Sequence, residues 1–144
     1  ISEERGAKAE SKGENASVLA GIPSAMPALM RCEKLGKRAA RVGFEWPDIG
    51  GALDKLDEEL GELKAEMRDA DDERLKDEVG DVLFSVVNVA RHLGVDPEAA
   101  LRHANAKFER RFHAVETSFN RDGLDIAEAT LDDMETRWQA AKKG

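Results

Sequence analysis

Two clusters of carboxylates define the chemistry this chain could perform. Glu58, Glu59 and Glu62 form the first, and Glu78 with Asp81 the second. Glu59 and Glu62, like Glu78 and Asp81, stand at i and i+3, which on a helix places them about 60° apart in azimuth and roughly 4.5 Å apart along the axis. Such a pair can grip one cation. A buried charge is costly unless paired or bound to a metal, and neighbouring carboxylates repel one another. A divalent cation resolves both difficulties.

The elements that must carry these acids are helical. Leu53, Leu56, Leu60, Leu63 and Met67 form a 3,4,3,4 apolar stripe that buries one face of a helix. Glu59 sits on its shoulder, Glu62 lies further round on the same side, and Glu58 points away, so Glu59 and Glu62 are the better ligand candidates. A charged stretch from Arg68 to Arg74 turns the chain. Leu75, Val79, Val82, Val86, Ala90 and Leu93 then repeat the pattern in a helix apolar nearly all round, which reads as the central one. Its few polar residues, Glu78, Asp81, Ser85, Asn88 and His92, share one side. Ordinary amphipathic helices also carry acids on solvated faces, which is the better reading for Glu58 and Glu66 taken alone. Asp81 is different, because it opens the most apolar run in the protein.

Upstream, residues 1–24 are poor in large apolar side chains and read as a flexible arm or linker, with one domain over 25–144. Leu29, Cys32, Leu35, Ala39 and Val42 mark a first helix with a basic outer face that ends near Gly43. In FEWPDIGG, Pro47 restricts Trp46 to extended conformations, and Asp48 is placed to cap the next helix. Phe44 and Trp46 either pack on the core, the slightly favoured alternative, or offer a flat surface to a ligand base. Downstream, Gly94 stops the acidic helix and Asp96 with Pro97 starts another. Leu101, Ala104, Phe108, Phe112, Val115 and Phe119 form its apolar face, with Lys107 and Arg111 one turn apart on a flank. Asn120 to Gly123 breaks it. A last short helix begins near Thr130, with Leu131, Met134 and Trp138 as an apolar face and Lys142 one turn beyond the tryptophan. No β-period alternation persists, so the fold class is all-α.

The chain has 144 residues and a net charge of −8, with charged residues at 36%. That balance argues against a nucleic-acid surface as the main function, because phosphate backbones demand clustered cations. It leaves room for a single nucleotide. The single Cys32 permits no internal disulfide and suits a reducing, cytoplasmic setting. No apolar run approaches a membrane span, and the start lacks a signal-peptide core. Because it begins with Ile, the chain reads as a fragment or processed product.

Carboxylates without companion His or Cys ligands favour Mg²⁺, with Mn²⁺ able to substitute, over zinc. Lys107 and Arg111, opposite a carboxylate-held metal, become natural partners for phosphate oxygens. A GxxxxGK[ST] loop is absent, which excludes a P-loop NTPase. Spacing alone thus supports Mg²⁺-dependent phosphate chemistry on a helical bundle and names no leaving group.

The signature Glu58-Glu59-Leu60-Gly61-Glu62 followed by Glu78-Val79-Gly80-Asp81 resembles the EExxE and ExxD of the MazG family of nucleoside triphosphate pyrophosphohydrolases. KRAARVGFEWPDIGG, EVGDVLFSVVNVARHLGVDPEAALRHANAKFERRF and LDDMETRWQAAKK extend the likeness to the carboxy-terminal domain of the two-domain members, over roughly residues 24–143. The resemblance implies an all-α NTP pyrophosphatase bundle, a homodimer, and Mg²⁺-dependent cleavage of NTPs or dNTPs to monophosphate and pyrophosphate. It implies metal ligation by Glu59, Glu62, Glu78 and Asp81, with Glu58 supporting them or activating water. It also implies triphosphate contacts from Lys107 and Arg111, and nucleotide contacts from Trp138 and Lys142. Trp46 and Asn88 are further candidates for contact with the nucleotide. The alternative is a non-catalytic dimeric module that senses a nucleotide or binds a partner. A di-iron carboxylate bundle fits less well, since neither cluster supplies a Glu-x-x-His pair.

Overall fold

The computed structural model describes residues 17–69 and 71–144, and every regular element among them is helical. In chain order these are α1 (Ala28–Ala40), α2 (Ile49–Glu66), α3 (Asp72–His92), α4 (Pro97–Arg121), a 3₁₀ turn at Ile126–Glu128, and α5 (Leu131–Lys142). Local chemistry sets the boundaries. Asp48 accepts a hydrogen bond from the Gly51 N–H at 3.0 Å and starts α2. Asp71 does the same for α3 through Glu73 and Arg74, and Thr130 caps α5 through Asp133. Each cap satisfies donors that the first turn leaves unpaired. Past their last turns, α1 and α3 run into Gly43 (φ +91°) and Gly94 (φ +71°), where residues with a Cβ would be strained.

The chain groups into two compact units, one extending to Glu98 and the other Ala99–Gly144. In the first, α3 packs against both α2 and α1. Most of the arm expected over 1–24 lies outside the described residues. Its described end is tied to α1: the Arg38 guanidinium donates to the carbonyls of Val18 and Ala20, Arg31 donates to that of Pro23, and Ile22 is buried. In the second unit Val115 and Phe119 are buried, and the Arg137 guanidinium lies 4.1 Å from the Phe119 ring centroid. Arg137 also bonds Ser118, Asp122 and Asp133, joining α4 to α5.

Three sequence expectations are corrected here. The leucine stripe of α2 is not its buried line. Leu53, Leu60 and Met67 are exposed, whereas Ala52 and Glu59 are the buried residues of that helix. The apolar helix α3 is not sheathed on all sides either, since Val79, Leu83 and Val86, at i, i+4 and i+7, are 44%, 53% and 45% exposed. On α4, Leu101, Phe108 and Phe112 remain exposed and only the last turns reach a core. Which face a helix buries is set by the neighbour that packs on it, and α2 and α3 pack chiefly on each other. Leu131, at the start of α5, is likewise exposed. Cys32 is half-buried, and burial pushes its thiol pKa up.

Candidate functional site

Packing of α2 on α3 brings the two acidic clusters together. Carboxylate oxygens of Glu58, Glu59 and Glu62 lie within 4.8 Å of one another, and so do those of Glu59, Glu78 and Asp81. Glu59 belongs to both groups and is 5% exposed. Its Oε2, like Oε2 of Glu78, is buried without a hydrogen-bond partner. A buried, unsatisfied carboxylate oxygen is costly, and here two of them sit in one knot of negative charge.

Burial and mutual repulsion both act on these carboxyls. The neighbouring Glu59 charge, followed by burial, pushes the Glu62 carboxyl above its ordinary range. Glu78 is raised by burial and then by Glu62 and Asp81, and Asp81 by burial and then by Asp77 and Glu59. One internal cation offsets part of this repulsion. Lys55 Nζ lies 2.9 Å from Glu58 Oε2 and 3.1 Å from Glu59 Oε1, and these hydrogen bonds hold its pKa well above the usual lysine value. The sequence signal for Lys55 is faint: a lysine at i−3 and i−4 to two glutamates is an ordinary helix pair, and only the burial of Glu59 sets it apart. Glu58, set apart on helical azimuth, joins the first group because its carboxylate closes with those of Glu59 and Glu62.

Beside the acids opens a cavity of about 760 Å³, within the usual size range for small-molecule sites. Glu59, Asp81 and Lys55 stand on its wall together with Phe44, Trp46, Phe84, Ser85 and Asn88. Phe44 is 80% exposed and Trp46 43% exposed, so the favoured core packing of these loop aromatics is overturned: both face the cavity. Trp46 leans on α2 at Gly51, where a Cβ would stand 3.1 Å from its own Cβ, so a larger residue there would push Trp46 back by a few tenths of an ångström. The loop is tied to α3 as well, through Glu45 Oε1 and Arg91 Nη1 at 2.9 Å. Asn88 and Ser85 reach the cavity from the polar side of α3 that the sequence had marked.

The remaining candidates lie in the second unit. Trp138 stacks at a tilt on Phe108, with ring centroids 5.3 Å apart, and Phe108 stacks on Phe112 at 5.9 Å. This places Trp138 beside the α4 turn that bears Lys107, which is half-buried. Arg111 lines a cleft with Arg110, Arg121 and Arg137, and Lys142 is exposed at the end of α5.

The first unit thus defines a class: an all-helical protein whose neighbouring helices converge an oxygen-only donor set on one point, next to an aromatic-walled cavity. Residues 51–115 match the MazG nucleotide pyrophosphohydrolase domain. The chain is 46% identical over 143 residues to the nucleoside triphosphate pyrophosphohydrolase of Escherichia coli K12, covering 98% of this chain and 52% of that protein. It is 42% identical over 139 residues to the nucleoside triphosphate pyrophosphohydrolase/pyrophosphatase MazG of Thermotoga maritima, covering 95% and 53%. It is also 42% identical over 137 residues to the uncharacterized protein YabN of Bacillus subtilis, covering 94% and 28%. Residues 51–115 of this chain are thus a MazG domain. The chain spans about half the length of the E. coli and Thermotoga relatives. Among the described residues no helix is long and apolar enough to cross a membrane.

Proposed function

We propose that this chain hydrolyses nucleoside triphosphates, NTP or dNTP, at the α,β bond to nucleoside monophosphate and pyrophosphate, with Mg²⁺ as cofactor. The observation that carries this is the convergence on Glu59 of two carboxylate groups, with buried and unpartnered oxygens, at the wall of an aromatic cavity. The donor set fits magnesium: it is all oxygen, is crowded with like charge, and lacks imidazole or thiolate. Glu59, Glu62, Glu78 and Asp81 would hold the ion. When bound, it supplies Lewis acidity toward the phosphate oxygens.

The chain's own residues supply the rest. Glu58, exposed at the edge of the first group, accepts a proton from the attacking water. Lys55, on the cavity wall beside Glu58 and Glu59, would meet a phosphate oxygen. Trp46 and Phe44 form flat apolar walls for the base, and Asn88 lines the same cavity. The family resemblance implies triphosphate contacts from Lys107 and Arg111 and nucleotide contacts from Trp138 and Lys142. The exposed stripe Val79, Leu83, Val86 supports a homodimer, since a second copy would cover apolar surface that this chain leaves in water. The single cysteine supports a cytoplasmic setting.

Product analysis tests the reaction. Each common NTP and dNTP is incubated with the protein and Mg²⁺, and monophosphate plus pyrophosphate is expected. Diphosphate plus orthophosphate would reject the α,β assignment. Tight nucleotide binding with no product at all would leave a non-catalytic sensing module as the function.

A further inference from the structure

The cavity contains one group that the acids and aromatic walls do not explain. Asn88 lines it from α3, half-buried, and makes no side-chain hydrogen bond with any described residue. Its amide is open to the cavity and not sealed from water, so both its donor and its acceptor are available to a ligand that enters there. Its neighbours keep it there. Gly36, the buried residue of α1, has no side chain where a Cβ would stand 3.2 Å from Asn88 Oδ1 and 3.1 Å from Arg91 Nε. Glycine inside a helix is unfavourable relative to alanine, yet here a larger residue would press on the amide and the guanidinium. Behind Asn88, Arg91 is anchored through Nη1 to Glu45, and the same loop carries Phe44 and Trp46.

With the cavity taken as the nucleoside site, as proposed above, we infer that Asn88 reads the polar edge of the nucleobase and is a specificity-determining residue of this enzyme. A carboxamide offers an acceptor and donors in one plane, matching the adjacent donor and acceptor groups on base edges. Phe44 and Trp46 supply stacking that any base can use. Discrimination between bases therefore falls to the amide, with Ser85 as its polar neighbour on the wall.

The experiment compares substrates that differ by one exocyclic amine: ATP against purine riboside triphosphate, and CTP against its 4-deamino analogue, zebularine triphosphate. Values of kcat/KM are measured with pyrophosphate release as readout. One neutral hydrogen bond corresponds to a factor of roughly 2 to 10. The wild type should prefer the amine-bearing member of at least one pair by about fivefold, and Asn88→Ala should bring that ratio within about twofold. Asn88→Leu, of matching shape, repeats the comparison if the alanine variant does not fold. No preference in either pair, or a preference that survives both substitutions, overturns the inference. Failure of the cavity assignment is separately visible, because Trp46→Ala would then leave KM unchanged for all four nucleotides. Should the wild type release no pyrophosphate, the same ratios are read from binding, by quenching of tryptophan fluorescence, and decide the matter by the same criterion.

Discussion

Glu59→Gln should separate metal binding from fold stability. Glu59 is the only residue in both carboxylate groups, and its charge contributes to the raised pKa of Glu62, Glu78 and Asp81. Removing that charge relieves repulsion on three neighbours, while Lys55 keeps its 2.9 Å pairing with Glu58. The metal-free variant should therefore melt at or above the wild-type temperature. Magnesium should act unequally on the two proteins. At a concentration a hundredfold above its Kd, linkage stabilises the wild type by about 2.7 kcal/mol. A chain of this length gains roughly 3 °C in Tm for each kcal/mol, so the wild-type shift should be about 8 °C. The variant has lost one ligand from each group and should shift by less than about 2 °C. Thermal melts by circular dichroism, at low salt with and without MgCl₂, measure both quantities. A variant that keeps the full shift would show that the two groups do not bind the ion together. A wild type indifferent to magnesium would show that the site is not built for it.

Further outcomes follow from the same geometry. Glu62, Glu78 and Asp81 have raised folded-state pKa values, so the metal-free fold binds protons more readily than the unfolded chain. Their contribution to stability is complete below the ordinary carboxylate range and is lost as pH rises through the raised values, so the Tm shift on adding magnesium should be larger at pH 7 than at pH 5. Lys55→Met should raise KM for nucleoside triphosphates at least about tenfold, as expected for a charged contact, and should lower the Tm of the metal-free protein; steady-state kinetics and a melt check the two halves. Leu83→Glu, placed on the exposed α3 stripe, should shift the protein from dimer to monomer in light scattering coupled to size exclusion, whereas a wild type already monomeric would remove the basis for a dimer. Asp48→Ala removes the cap of α2 and should cost about 1 kcal/mol, seen as a Tm lower by roughly 3 °C.

The helix framework was legible because its signals are local. Asp48, Thr130, Gly43 and Gly94 terminate helices through contacts within a few residues, and apolar spacing revealed each helix between them. The ligand candidates were legible for a related reason. Carboxylates at i and i+3 share a face wherever the helix goes, so Glu59 with Glu62 and Glu78 with Asp81 could be paired before either helix had a neighbour. Burial was not legible. The α2 stripe suggested Leu53 and Leu60 as core, yet these are exposed and Glu59 is buried, because the face that packs depends on where α3 lies.

Composition and spacing by themselves determined an all-helical chain and its acid pairs, since backbone capping and helical periodicity act over a few residues. Only the tertiary structure decided that Glu59 belongs to both acid groups, that Lys55 is their internal counter-ion, that Phe44 and Trp46 face a cavity, and that Asn88 stands in it opposite Gly36. Each of those depends on how α1, α2, α3 and the intervening loop pack together, and packing joins residues whose separation along the chain carries no periodic trace.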